Sequence, residues 1–141
     1  MFFDNCTVRL TRQEALQRRI KARLKEQRAL VDSLLTLREQ LQGSLITRYG
    51  QCGKENCACR RGRRHGPYYV LSNRSGGSGG FTYLEETDAK QAREMVRRYR
   101  AFRAGLKRLQ RFNHDLVGLL RRYQQGSARE GGRQLGIPLE G

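Results

Sequence analysis

The chain has 141 residues, enough for one domain or a small module on a larger support, and no apolar run approaches the roughly 20 residues of a membrane span. Hydrophobic residues make up 37%, with no Trp and two Pro, which leaves little for a large globular core and suits long helices with an apolar seam. Lys plus Arg is 29 against 13 Asp plus Glu, a net charge of +16 that points to an anionic polymer as partner.

Arginine supplies 24 of the 29 cations, and its fork binds phosphate oxygens bidentately. A GC-rich genome or a solubilising coat accounts for the ratio of Arg to Lys. Neither accounts for the excess over acids, which repels itself in a compact fold unless something neutralises it. Nucleic acid therefore leads, with DNA ahead of RNA, and a membrane surface or an acidic protein stands behind it.

At the N-terminus, Met1-Phe2-Phe3-Asp4 is too short for a secretory signal, so a reducing cytoplasm is the expected compartment. Leu16, Ile20, Leu24, Val31, Leu34, Leu35, Leu37 and Leu41 recur at helical spacing, and Thr11 with Glu14 three residues on reads as a capping box. A first helix over 11–41 follows, stopped by Gly43, in a segment 1–43. Cys6 lies beyond that helix, which is about 46 Å long at 1.5 Å per residue, and reads as a free or packed thiol.

Residues 44–84 read as a small β module. Leu45–Tyr49, Tyr68–Leu71 and Phe81–Leu84 are β-rich runs, and Arg74-Ser-Gly-Gly-Ser-Gly-Gly80 is a flexible loop joining the last two. Cys52-x4-Cys57-x-Cys59 with His65 close behind is the ligand set of a Cys3His zinc site, although the spacings match no common finger class. A disulfide needs an oxidising compartment, and a redox pair would read C-x-x-C beside a βαβ pattern. His65 has two further readings, a turn residue before Gly66-Pro67 or a phosphate contact. Three strands this short cannot bury enough surface to fold alone, and a metal staple would make up the deficit.

From about Thr87 to Gln125, within 85–125, a second helix carries Met95, Tyr99, Phe102, Leu106, Leu109, Asn113, Leu116, Leu120 and Tyr123 in a heptad seam. Asn113 in that seam is expected to be buried and to fix register. Gly126 ends the helix, and 126–141 reads as a flexible tail. The fold expected is mainly α: an antiparallel two-helix coiled-coil hairpin bearing an inserted zinc-stabilised three-stranded module, hence α+β. Helix 2 also offers a homodimer face.

Cys52-Gly53-Lys54-x-x-Cys57-x-Cys59 followed by His65-Gly66-Pro67-Tyr68-Tyr69 resembles an uncharacterised family of small prokaryotic zinc-binding domain proteins that often occur near transposase-related genes. The resemblance covers roughly residues 43–116. It implies a zinc-binding, nucleic-acid-binding module carried by mobile elements or phages, with a transposase as possible protein partner and the metal on Cys52, Cys57, Cys59 and His65.

Position selects the residues that would touch nucleic acid. Arg60, Arg61, Arg63 and Arg64 form a basic tip between Cys59 and His65, near Lys54, Arg48 and the aromatics Tyr49, Tyr68 and Tyr69. The tyrosines pack on the sheet in the favoured reading and stack bases in the other. Arg93, Arg97, Arg100 and Arg111 lie opposite the helix 2 seam, as a phosphate-following stripe or equally a solvated coat. No enzyme is expected: a full Cys3His site leaves no position for water, and neither a P-loop nor paired carboxylates near the metal are present. The rival to nucleic-acid binding is a coiled-coil adaptor that docks a protein, with zinc purely structural.

Overall fold

The computed structural model describes residues 11–73 and 79–138; Cys6 and most of the glycine-rich loop lie outside them. The elements are α1 (Arg12–Leu35), β1 (Ser44–Gly50), a 3-10 turn (Ala58–Arg61), β2 (His65–Asn73), β3 (Gly80–Leu84) and α2 (Glu86–Leu135). Two helices and one three-stranded antiparallel sheet make this an α+β fold. The chain divides into two compact units, Met1–Leu34 with Gly105–Gly141, and Leu35–Ala104.

In the first unit, α1 opens on the expected capping box. The Thr11 N–H donates to Glu14 Oε2 at 2.8 Å and the Glu14 N–H donates to Thr11 Oγ1 at 3.2 Å, so two otherwise unsatisfied donors are met at once. The same backbone and hydroxyl bonds from Thr11 hold the Glu14 carboxyl below its usual value. Leu16 and Ile20 of α1 bury against Leu119 of α2, with Leu116 and Tyr123 packed around them. Polar contacts flank this core. Gln13 Nε2 donates to Tyr123 O (3.1 Å) and Ser127 Oγ (2.9 Å), Gln17 Nε2 to Tyr123 Oη (2.9 Å), and Gln27 to Asn113. Partner numbers rise along α1 while they fall along α2.

The seam on α2 differs from the heptad reading. Its buried residues are Ala89, Ala92, Val96, Gly105, Leu119 and Gly132, whereas Leu106, Asn113 and Leu120 of the expected seam are exposed. Small residues explain the shift. A Cβ on Gly105 would collide with the side chain of Leu34, and one on Gly126 would come within 2.7 Å of Gln13, so α1 approaches where α2 has least bulk and the larger apolar residues flank the contact. Asn113 is not a buried register device but an exposed acceptor for Gln27.

Both helix ends move from their expected places. The sequence predicts α1 to Leu41, yet it stops at Leu35, Glu39 takes a left-handed φ of 49°, and the Leu41 N–H donates to Met95 O at 3.1 Å. Leu37 and Leu41 keep the helical spacing but belong to an irregular segment laid on α2. Conversely, α2 runs through Gly126 and the predicted tail to Leu135. Glycine costs a helix about 1 kcal/mol relative to alanine, and here the bonds from Gln13 offset it. Gly136 (φ 65°) ends α2 in a Schellman motif, with Ile137 N–H on Gly132 O (2.8 Å) and Gly136 N–H on Arg133 O (3.3 Å).

In the second unit the strand order is β1-β2-β3. Leu45 pairs with Leu71 and Leu71 with Thr82, while Ile46 pairs with Val70 and Val70 with Tyr83. The first of these rows lies on the more covered face, together with Tyr69 and Leu84. The first half of α2 belongs to the same unit and buries Ala89, Ala92 and Val96. Arg98 reaches Arg38 O at 3.3 Å and Glu39 at 3.5 Å, which fastens the irregular segment to the helix.

Candidate metal centre and basic loop

The four sequence-predicted ligands come together. Cys52 follows β1, Cys57 caps the 3-10 turn, Cys59 lies within it, and His65 opens β2. Gly50 pairs with His65 while Arg48 pairs with Tyr68, so β2 carries one extra residue at Gly66-Pro67. That bulge shifts the alternation and gives His65 the face of its partner Gly50 rather than that of Tyr69 and Leu71. Gly66 is required there: its φ is 134°, and a Cβ would sit 2.8 Å from Arg48 O.

Sγ of Cys52, Cys57 and Cys59 and a ring nitrogen of His65 all lie within 4.8 Å of one another. Cys52 and Cys59 sulfurs are 3.6 Å apart, and Cys57 Sγ is 3.1 Å from His65 Nε2. An ion held tetrahedrally about 2.3 Å from each sulfur sets sulfurs about 3.8 Å apart, so the cluster fits a metal with little movement. The three thiols are free, and Cys59 is fully buried.

Hydrogen bonds prepare one thiol, that of Cys57, for deprotonation. The Cys59 N–H, then the Cys52, Cys59 and His65 side chains, pull the Cys57 thiol down to about 6. For Cys59 the Cys52 N–H, 3.4 Å from its sulfur, acts downward, but burial and the neighbouring thiols outweigh it and the net shift is up. One easily formed thiolate beside two sulfurs and an imidazole can capture a cation, which then draws off the remaining protons. The loop around them is braced by Cys57 N–H on Lys54 O (3.3 Å), Arg60 N–H on Cys57 O (3.2 Å) and Gln51 Nε2 on Cys59 O (3.4 Å).

Residues 13–94 match a family model described as a domain of unknown function, DUF6788. The chain belongs to this family. The matched segment includes all four clustered ligands and the loop between them; Arg97, Arg100 and Arg111 fall beyond it. No curated protein and no solved structure matches the chain.

Within the DUF6788 segment, Arg60, Arg61, Arg63, Arg64 and Lys54 are all exposed, and among the described residues none lies within ion-pair distance of a carboxylate. The helix arginines differ. Arg97 is 2.7 Å from Glu94, and Arg100 donates to Ser44 Oγ at 3.2 Å; together with Arg93 they border a depression beside Leu45 and Val96. Arg111 belongs to the other unit, beside Lys107, Gln110 and His114. Arg48 is exposed on β1, with its guanidinium 5.8 Å from the Phe81 ring. Phe81 and Tyr83, which the sequence reading placed only as strand residues, are exposed; their i, i+2 spacing on a terminal strand was the available signal.

Proposed function

We propose that this chain is a zinc-stapled nucleic-acid-binding module, with DNA as the favoured polymer, and that its basic loop holds backbone phosphates. One observation carries the reading: four exposed arginines, with no carboxylate partner among the described residues, occupy a five-residue span closed at both ends by clustered ligands, Cys59 and His65. The backbone that carries this charge is anchored, so little loop freedom remains to be lost when phosphates bind.

Three thiolates and one imidazole suit zinc among the common cellular metals. Its role in this reading is to fold the loop, because four protein ligands leave no place for water. The pairing of α1 with α2 is read as a coiled-coil hairpin that supports the module. Service to a mobile element or phage, including a transposase partner, rests on the sequence resemblance alone.

A second reading, a protein-docking adaptor, is favoured by Leu106, Val117 and Leu120, which stay exposed along α2. Salt separates the two. Changing Arg60, Arg61, Arg63 and Arg64 to Ala should weaken duplex binding and make the log–log salt slope shallower by up to about 0.9 per lost contact. Metal content should remain at one zinc per chain by elemental analysis. Unchanged affinity and slope would hand the case to the adaptor.

A further inference from the structure

Strand register puts Ser44, Ile46 and Arg48 of β1, Tyr68, Val70 and Ser72 of β2, and Phe81 and Tyr83 of β3 on one face of the sheet, since paired residues project together and alternate along each strand. Only Val70, at the centre, is fully covered. Phe81 is 62% exposed, Tyr83 67% and Tyr68 45%. The opposite face holds the buried Leu71 and the half-buried Leu45, Tyr69 and Leu84, so the sheet already has its internal side. Three open rings on the other side are an interaction surface.

Its chemistry narrows the occupant. Phe81 and Tyr83 stand two residues apart on β3, about 6.8 Å at 3.4 Å per residue, and Tyr68 lies diagonally across Val70 from Tyr83. Arg48 leans over Phe81, and among the described residues no carboxylate lies within ion-pair distance of it. The row of Arg48 and Tyr68 is the one nearest the basic loop, because the next pair along is Gly50 and His65. A ligand that matches this face offers flat apolar surfaces in succession and negative charge at their edges. Unpaired bases on a phosphodiester backbone do so, whereas a duplex keeps its base faces stacked inside.

We propose that this sheet face is a stacking platform for single-stranded DNA: Phe81 and Tyr83 take successive bases, Tyr68 a third, and Arg48, whose guanidinium lies over the Phe81 ring, a phosphate of the same strand. The inference rests on the nucleic-acid reading above and sharpens it from phosphate attraction to a preference for unpaired strands.

The test uses the full zinc-loaded chain with a fluorescent oligodeoxythymidine, its RNA counterpart and a DNA duplex. A Phe81→Thr/Tyr83→Thr variant, which keeps β-forming side chains on β3, should bind the DNA single strand about 30-fold or more weakly, taking at least about 1 kcal/mol per stacked base. Its salt slope and duplex affinity should match the parent's. Because the chain has no Trp, Tyr83→Trp supplies a clean reporter, and its fluorescence should be quenched by the single strand and not by the duplex.

Unchanged single-strand affinity in the threonine pair, with the four-arginine variant impaired, overturns the platform while leaving the phosphate reading standing. A parent that binds no strand at all overturns both. Tenfold tighter binding of RNA overturns the assignment to DNA. A threonine pair that changes oligomeric state and not affinity makes the face a contact between copies and overturns the proposal.

Discussion

Leu119 and Leu120 are neighbours on α2 with opposite environments, and truncating each in turn tests which stripe α1 covers. Leu119 is 7% exposed and packs with Leu16 and Ile20, whereas Leu120, which the heptad pattern would choose, is 46% exposed. Leu119→Ala loses the transfer free energy of the side chain and leaves a cavity that two rigid helices fill poorly, about 2–5 kcal/mol. Leu120→Ala removes atoms already half in water and opens no cavity, about 1 kcal/mol or less. For a cooperative unit of this size each kcal/mol moves Tm by about 4–8 °C. Leu119→Ala should therefore melt about 8–40 °C below the parent, followed by circular dichroism, with metal content unchanged because the ligands belong to the other unit. If Leu120→Ala is the more destabilised of the two, the small-residue contact line is wrong and the heptad seam is right.

Two predictions concern the metal centre. In metal-free, reduced protein Cys57 should alkylate with a half-maximal rate near pH 6, while buried Cys59 resists, read site by site by mass spectrometry. The sign follows from a depressed thiol: the stability Cys57 contributes to the metal-free unit is complete above the ordinary thiol value and is lost as pH falls through about 6, so equal alkylation of both cysteines with a midpoint near 8.5 would refute the site. Removing zinc with a chelator should weaken nucleic-acid binding measured by anisotropy, and zinc should restore it; equal affinity with and without metal would separate the loop's order from its binding.

The ligand cluster was legible in the sequence because thiolates and imidazole so closely spaced have few other uses, and the strands because β-branched and aromatic runs lie between glycines. Helix ends were not legible. Leu37 and Leu41 carry on the apolar period of α1, but a hydrogen bond from Leu41 to Met95 O draws them into an irregular segment, a tertiary event that no periodicity encodes. Gly126 reads as a stop until Gln13, more than a hundred residues away, is seen bonded to Tyr123 O and Ser127. The seam misled for a related reason. Pattern reading weights large apolar residues, whereas the close helix contact is set by Gly105 and Gly126, which score as nothing in a heptad. The aromatic sheet face was half legible: Phe81-Thr-Tyr83 shows the alternation, but which face is covered depends on the rest of the unit.

Charge and metal answer one another in the basic loop. Four guanidiniums between Cys59 and His65, with Lys54 beside them, repel in any compact arrangement, and in a chain this basic few carboxylates are spare: Glu94, Glu86, Glu130 and Asp115 are already engaged with arginines or lysine on the helices. A divalent ion held by three thiolates and an imidazole would leave a net negative charge at the base of the loop, which would offset part of that repulsion while fixing the backbone. Cys57, held down to about 6, would remain a thiolate at neutral pH once the ion is removed, so the base of the loop would keep its negative charge while it loses order. Anchored recognition would then fall with no compensating gain in bulk attraction, so weaker binding on metal removal at neutral pH reports the order of the loop and not its charge.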